Sequence, residues 1–368
     1  MRVQGNYLSI NDMPLVAHNN LPTFSRLRHY GLEIMKLEDA LHQDIRELHI
    51  GLLNMMPDAA LAATEQQFIR LVGNCNKIAQ FYVYPFSVPG IERGETARAH
   101  IAEHYFDFED LKDSGLDALI ITGANVINPA LDQEPFWDPL MEVVQWADEN
   151  VASILCSCLA THALVKKYHG IERQHLPKKH WGVYQHQVLQ VDHPLVRDIN
   201  TRFDAPHSRF NTVEKEELEK AGLCVLAAGE EAGVHLAVSP DLFRKIYFQG
   251  HPEYDSFSLL KEYKREVFRY LNGELDAPPP YPEHYFSATA IEIAQRYIED
   301  ATAAREQGSD LPEFPEERLL PLVDNTWRDT GKAIFNNWLG LVYRKTNLDR
   351  TLQYMDDVDP SDPLQLLG

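Results

Sequence analysis

Cysteine is scarce in this chain of 368 residues: four in all, with only Cys156 and Cys158 close together and no Cys-x-x-Cys pair. That excludes a disulfide scaffold. Basic residues are also short, 34 Lys+Arg against 55 Asp+Glu, for a net charge of −21. A nucleic-acid groove or an anionic membrane as general partner needs a positive face, so neither is expected. No stretch approaches 18 apolar residues, and residues 1–30 carry no signal-peptide pattern, which predicts a cytoplasmic protein without a membrane span. Internal repeats and low-complexity tracts are missing too. What remains is a globular composition, 44% hydrophobic and 24% charged.

Short continuous apolar runs alternate with helical patterns. Strands are predicted at 48–53, 80–87, 116–122 and 151–156, and later near 182–190, 223–228, 234–239 and 244–249. Helices are predicted at 61–73, 139–150, 160–168, 256–271, 288–307 and 327–343. The alternation indicates an α/β fold, a mainly parallel sheet with helices on both faces. Residues 1–45 read as an arm packed on the body, 46–275 as the α/β domain, and 276–368 as a C-terminal extension. That extension opens on the Pro-rich stretch 276–282 and holds a helical insertion and a last amphipathic helix.

In open α/β sheets ligands bind beyond the carboxyl ends of strands, and three such ends carry usable groups. Residues 151–157 run into Cys158 and directly into a helix. A strand-to-helix elbow of this kind needs small residues two positions either side of its apex, and Cys156 and Ala160 satisfy that. The helix N-terminus behind Cys158 favours negative charge there, as a nucleophilic thiolate requires. Cys156, inside the strand, reads as a small buried hydrophobe. A metal reading of Cys156 and Cys158 needs further ligands, the nearest candidate being His162.

The second end leads into Gly250-His251-Pro252-Glu253. Pro252 fixes φ between a candidate base, His251, and a candidate orienting acid, Glu253. Read alone, a His-x-Glu is as well explained by a surface turn; its pairing with the Cys158 elbow raises it. The third end, Thr122-Gly123-Ala124, offers backbone N–H groups to an oxyanion, or is simply a turn.

With these ends in view, the chain resembles the homoserine O-acyltransferase family, whose fold is class I glutamine-amidotransferase-like (flavodoxin-like). The matching strings run from LLNMMP at 52–57 through TEQQFIRLVG at 64–73, ALIITGA at 118–124 and WGVYQH at 181–186 to APHSRF at 205–210. GHPEYD at 250–255 and NTWRDTGKAIFNNWLGLVY at 325–343 complete the set. The resemblance implies Cys158 as acyl-thioester nucleophile, His251 as its base and Glu253 as third member, with Lys179, Ser208 and Arg265 binding substrate. Taken by themselves those last three read as surface ion pairs and a turn cap. Implied, too, is ping-pong transfer from an acyl-CoA co-substrate to the hydroxyl of L-homoserine, in methionine biosynthesis, with no resident cofactor and no metal. A homodimer stays open.

The chain departs from the family pattern in three places. The position associated with acyl-CoA choice, glycine in succinyl enzymes and glutamate in acetyl enzymes, is Ile127. The segment 57–64 is two residues longer than usual and lacks its lysine, and the insertion at 285–320 is unfamiliar. Ile127 removes the repulsion a glutamate would exert on a succinyl carboxylate, so succinyl-CoA is the expected donor and acetyl-CoA the alternative. A succinyl carboxylate then needs a cation nearby. A glutaminase-like cysteine hydrolase is the more distant alternative, opposed by APHSR and the C-terminal block.

Overall fold

The apolar run at residue 48 forms strand β1 (Glu47–Leu53), in which every residue after Glu47 is buried. Such a run suits a strand covered on both faces. The computed structural model describes residues 15–75 and 79–367. Eight further strands join β1 in one sheet. They are β2 (Gln80–Phe86), β3 (Ala118–Ile121), β4 (Ser153–Ser157), β5 (Gln174–Val188), β6 (Arg202–Thr212), β7 (Cys224–Gly229), β8 (Gly233–Val238) and β9 (Lys245–Phe248). The order is β2-β1-β3-β4-β9-β8-β7-β5-β6. From β2 to β9 all pairings are parallel; from β9 outward they are antiparallel. The parallel half is the expected α/β core, and the antiparallel wing extends it.

Helices cover both faces, as the alternation predicts. On one face α1 (Asp58–Gly73) and α5 (Arg328–Lys345) bring Phe68, Val72, Phe335 and Trp338 against Ile50, Leu155 and Phe248. On the other, the helix Trp137–Asn150 and α2 (Leu159–His169) pack Val144, Ala163 and Leu164 on Leu119, Ile154 and Cys156. Ile154 and Leu155 thus face opposite ways, as the two-residue period of a strand demands. The C-terminal helix is a core element: Trp338 is fully buried and its Nε1 donates to Ser153 Oγ at 2.9 Å. A third apolar cluster joins Trp181 of β5, Tyr263 of α3 (Ser258–Leu271) and Tyr297 of α4 (Ala288–Glu306).

At the N-terminal end, Val16–Ala17 pairs with Met35–Lys36, and Leu15 bridges Phe81 of the edge strand β2. That cover protects an otherwise open sheet edge. Two helices, Glu95–His104 and Phe108–Ser114, were not anticipated from the sequence. Nor was β6, which carries APHSRF: Ser208 sits in a strand opposite Trp181, not in a turn. Among the described residues no helix is long and apolar enough to cross a membrane.

Candidate active site

Registers place the three strand ends side by side. Ile121 of β3 lies opposite Cys156, and Phe248 of β9 opposite Ser157. The next residues, Thr122-Gly123, Cys158 and Gln249-Gly250-His251, therefore emerge together at the carboxyl edge of the parallel half. Cys158 has φ 51° and ψ −107°, a strained conformation for a residue with a side chain. Its N–H donates to the Phe248 carbonyl at 2.8 Å, and the single Thr161 hydroxyl proton is shared between the carbonyls of Phe248 (2.8 Å) and Cys156 (3.1 Å). These bonds tie the elbow to β9 and hold the strain in place. Gly123 faces it: a Cβ there would lie 3.7 Å from Cys158 Cβ and 3.9 Å from the Leu159 nitrogen.

His251 and Glu253 are both buried, and His251 Nδ1 donates to Glu253 Oε1 at 2.7 Å. Burial alone would push the imidazole down. The Glu253 carboxylate and the nearby Cys158 sulfur outweigh it and raise its pKa to about 10. His251 Nε2 has no other protein partner, which leaves it for Cys158 or a substrate. The backbone N–H of His251 is anchored to the Pro206 carbonyl at 2.8 Å. Arg70 of α1 secures the acid: Nη2 donates to the Glu253 carbonyl at 2.9 Å, and the guanidinium pairs with Asp255. Burial, together with the charge of Arg328, lowers the Arg70 pKa to about 10, still far above neutrality.

Lys179 and Ser208 meet on one carboxylate. Glu262 Oε2 pairs with Lys179 Nζ at 3.2 Å and accepts from Ser208 Oγ at 2.6 Å; Oε1 accepts from Tyr254 OH at 2.8 Å. Burial tends to raise the Glu262 pKa, but Lys179 and the two hydroxyls outweigh it and hold the carboxyl below its ordinary value. The Tyr254 ring stacks on His251 with centroids 4.4 Å apart. Glu262, Tyr254 and Arg70 are missed by sequence reasoning, although Tyr254 and Asp255 lie inside the GHPEYD string. Arg265 does not join that carboxylate: it is exposed on α3, one turn after Glu262, with its Nε bound to Glu266 at 3.1 Å. Ile127 lies in the loop after β3 with its side chain 86% exposed.

Among the described residues, His186, His207 and His235 form the one group with metal-ligand spacing, their ring nitrogens within 4.8 Å of one another. Partners fix the tautomers of two of the three. Arg209 Nε donates to His207 Nδ1 (3.2 Å), His207 Nε2 donates to His186 Nε2 (3.1 Å), and His186 Nδ1 donates to the Tyr184 carbonyl (2.9 Å). A cation at His207 Nε2 would need its proton on Nδ1, against the Arg209 donor, with a buried guanidinium adjacent. The trio fits a neutral packed brace better than a metal centre: His207 and His186 are hydrogen-bonded, and His235, its Nδ1 buried without a hydrogen-bond partner, packs its ring against both. It also explains Gly250, where a Cβ would come within 2.6 Å of His235 Nδ1 and 2.8 Å of His207 Nε2. His162, the possible extra ligand to a Cys156–Cys158 site, instead faces Gln249 Oε1 at 3.1 Å.

An α/β sheet that gathers a thiol, an imidazole and a buried carboxylate at adjoining strand ends defines the class of α/β proteins with a candidate Cys–His–Glu triad. Within that class the chain belongs to the homoserine O-succinyltransferase family, whose profile matches residues 14–348. Family membership makes it an acyltransferase. It is 59% identical over 354 residues to the homoserine O-succinyltransferase of Methylobacter tundripaludum, covering 96% of this chain and 100% of that one. The same identity and coverage hold for the homoserine O-succinyltransferase of Methylococcus capsulatus. A solved glutamine amidotransferase from Thermotoga maritima aligns with 82% of this chain and 99% of its own, at 14% identity and a TM-score of 0.43.

Proposed function

We propose that this protein transfers a succinyl group from succinyl-CoA to the hydroxyl of L-homoserine, a step of methionine biosynthesis, through a thioester on Cys158. The observation that carries the mechanism is the Glu253–His251 pair, 2.7 Å apart, with His251 Nε2 left without another partner at the Cys158 elbow. The family carries the choice of acyl group and acceptor.

In the first half-reaction the Cys158 thiolate attacks the thioester carbonyl. The C–S bond to CoA breaks as the bond to Cys158 forms, and the departing thiolate takes the proton from His251 Nε2. Backbone N–H groups of Gly123 or Ala124 and of Leu159 suit the oxyanion that develops between the two loops. In the second, His251 removes the homoserine hydroxyl proton, the oxygen attacks the acyl carbon, and Cys158 leaves as thiolate. The imidazolium that results is stabilised by Glu253.

Glu262, held ionised, suits the ammonium group of an amino-acid acceptor, while Lys179 and Arg265 supply cations for its carboxylate. A guanidinium can clamp that carboxylate in two bonds. The test is a panel of succinyl-CoA and acetyl-CoA, each with homoserine and with serine, following release of CoA thiol. Succinyl-CoA with homoserine should be the best pair. A preference for acetyl-CoA would overturn the donor, and ammonia released from glutamine would favour a hydrolase.

A further inference from the structure

The loop that leaves β3 is gripped through both kinds of backbone group. Buried Glu134 accepts the N–H of Ile127 at 2.7 Å and of Asn128 at 2.5 Å, both on Oε1. Arg173, at the start of the segment leading into β5, takes the carbonyls: its Nη2 donates to Asn128 O at 3.2 Å and Pro129 O at 3.3 Å. Its Nε is buried with no hydrogen-bond partner. Among the described residues it forms no ion pair. The same loop begins at Gly123, in contact range of Cys158. Burial lowers the Arg173 pKa, and the charges of Glu134 and Cys158 oppose that.

The other cations around the site are committed. Arg209 also feels the Cys158 charge. It spends Nε on His207, Nη1 on the Asn211 carbonyl (2.7 Å) and Nη2 on the Ala232 carbonyl (2.5 Å). Lys179 is paired with Glu262, and Arg93 with Asp58 at 3.3 Å. Arg93 also keeps a buried Nε without a partner, but its charge is met by Asp58; Arg173 combines a hold on the loop that starts at Gly123 with an unspent buried N–H and, among the described residues, no ion pair.

We infer that Arg173 receives the distal carboxylate of the succinyl group while the acyl chain is attached to Cys158, and so selects succinyl over acetyl. The inference rests on the succinyl-transfer reading above. A carboxylate carried into this site of a chain with net charge −21 is unfavourable unless a cation meets it. An acetyl group brings no charge and gains nothing from the guanidinium. Ile127, exposed as it is, belongs to this device through its backbone: its loop holds Arg173 in place.

The experiment compares wild type with Arg173→Gln and Arg173→Lys, using succinyl-CoA, acetyl-CoA and the uncharged butyryl-CoA with homoserine. Arg173→Gln should lower kcat/KM for succinyl-CoA about a hundredfold. Acetyl-CoA and butyryl-CoA should stay within a few-fold, and Arg173→Lys should recover part of the loss. Acylation of Cys158 by each donor alone, read by mass spectrometry, should show the same selectivity even if one variant is poorly stable. Equal loss with all three donors would make Arg173 a brace for the loop and overturn the inference, as would no loss with succinyl-CoA. A wild-type enzyme that does not use succinyl-CoA would instead bring down the functional reading on which the inference stands.

Discussion

Tyr254 lies nearly flat on His251, their ring planes 20° apart, while its hydroxyl donates to Glu262 Oε1 at 2.8 Å. One side chain thus spans the imidazole of the candidate triad and the carboxylate shared by Lys179 and Ser208. The proposed acyl-transfer centre and the proposed acceptor site are mechanically one unit.

Tyr254→Phe keeps the stack and loses the bond to Glu262. A hydrogen bond to a charged group contributes about 1.5–3 kcal/mol. Use of homoserine should fall about tenfold or more, seen chiefly in its KM, while acylation by donor alone stays near the wild-type rate. Rapid-quench measurement of both half-reactions separates the two; a slowed first half-reaction would place Tyr254 in service of His251 instead.

Cys158→Ala should abolish transfer and leave no acyl adduct. In wild type the adduct mass should map to Cys158 and not to Cys156, which is fully buried, its thiol pushed well up by burial. Peptide mapping after mixing with succinyl-CoA alone decides this, and an adduct surviving in Cys158→Ala would refute the assignment.

Glu253→Gln removes the largest influence raising the His251 pKa. With that charge gone, burial pulls the imidazole downward, so the alkaline limb of the kcat/KM profile should move to lower pH by a unit or more. The same pair has a stability signature. A folded value of about 10 against an ordinary 6.5 means stabilisation that is complete below pH 6.5 and is lost as pH rises toward 10. Urea midpoints at pH 6, 8 and 10 should fall more steeply for wild type than for Glu253→Gln.

Gly250→Ala forces a Cβ into the His207–His235 brace, on the residue directly before His251. Overpacking of this kind costs roughly 1–3 kcal/mol. The melting temperature should drop, and kcat should fall with it because the imidazole is displaced. Calorimetry alongside kcat would expose the alternative, in which the histidines swing aside and neither quantity changes.

Local chemistry made part of this molecule legible in the amino-acid order. Continuous apolar runs mark buried strands because a parallel strand has two covered faces. Cys156 and Ala160 mark the elbow because only small neighbours fit there. Pro252 ties His251 to Glu253 at short range. These are interactions within a few residues, so spacing is enough to read them. The antiparallel wing was only partly legible: β6 is not among the strands read from the sequence, and it forms by pairing with the long β5.

What tertiary structure alone decided is which distant side chains share a charge. Glu262, on a helix, is indistinguishable in sequence from any solvated acid until Lys179, Ser208 and Tyr254 converge on it. Arg173 and Glu134 look like scattered surface charges, yet they grip opposite edges of one loop beside the thiol. Electrostatic partnership depends on distance and burial in space, and a one-dimensional pattern records neither. The elbow and the imidazole–carboxylate pair were therefore written locally, and the groups proposed to choose among substrates were set by how the chain folds back on itself.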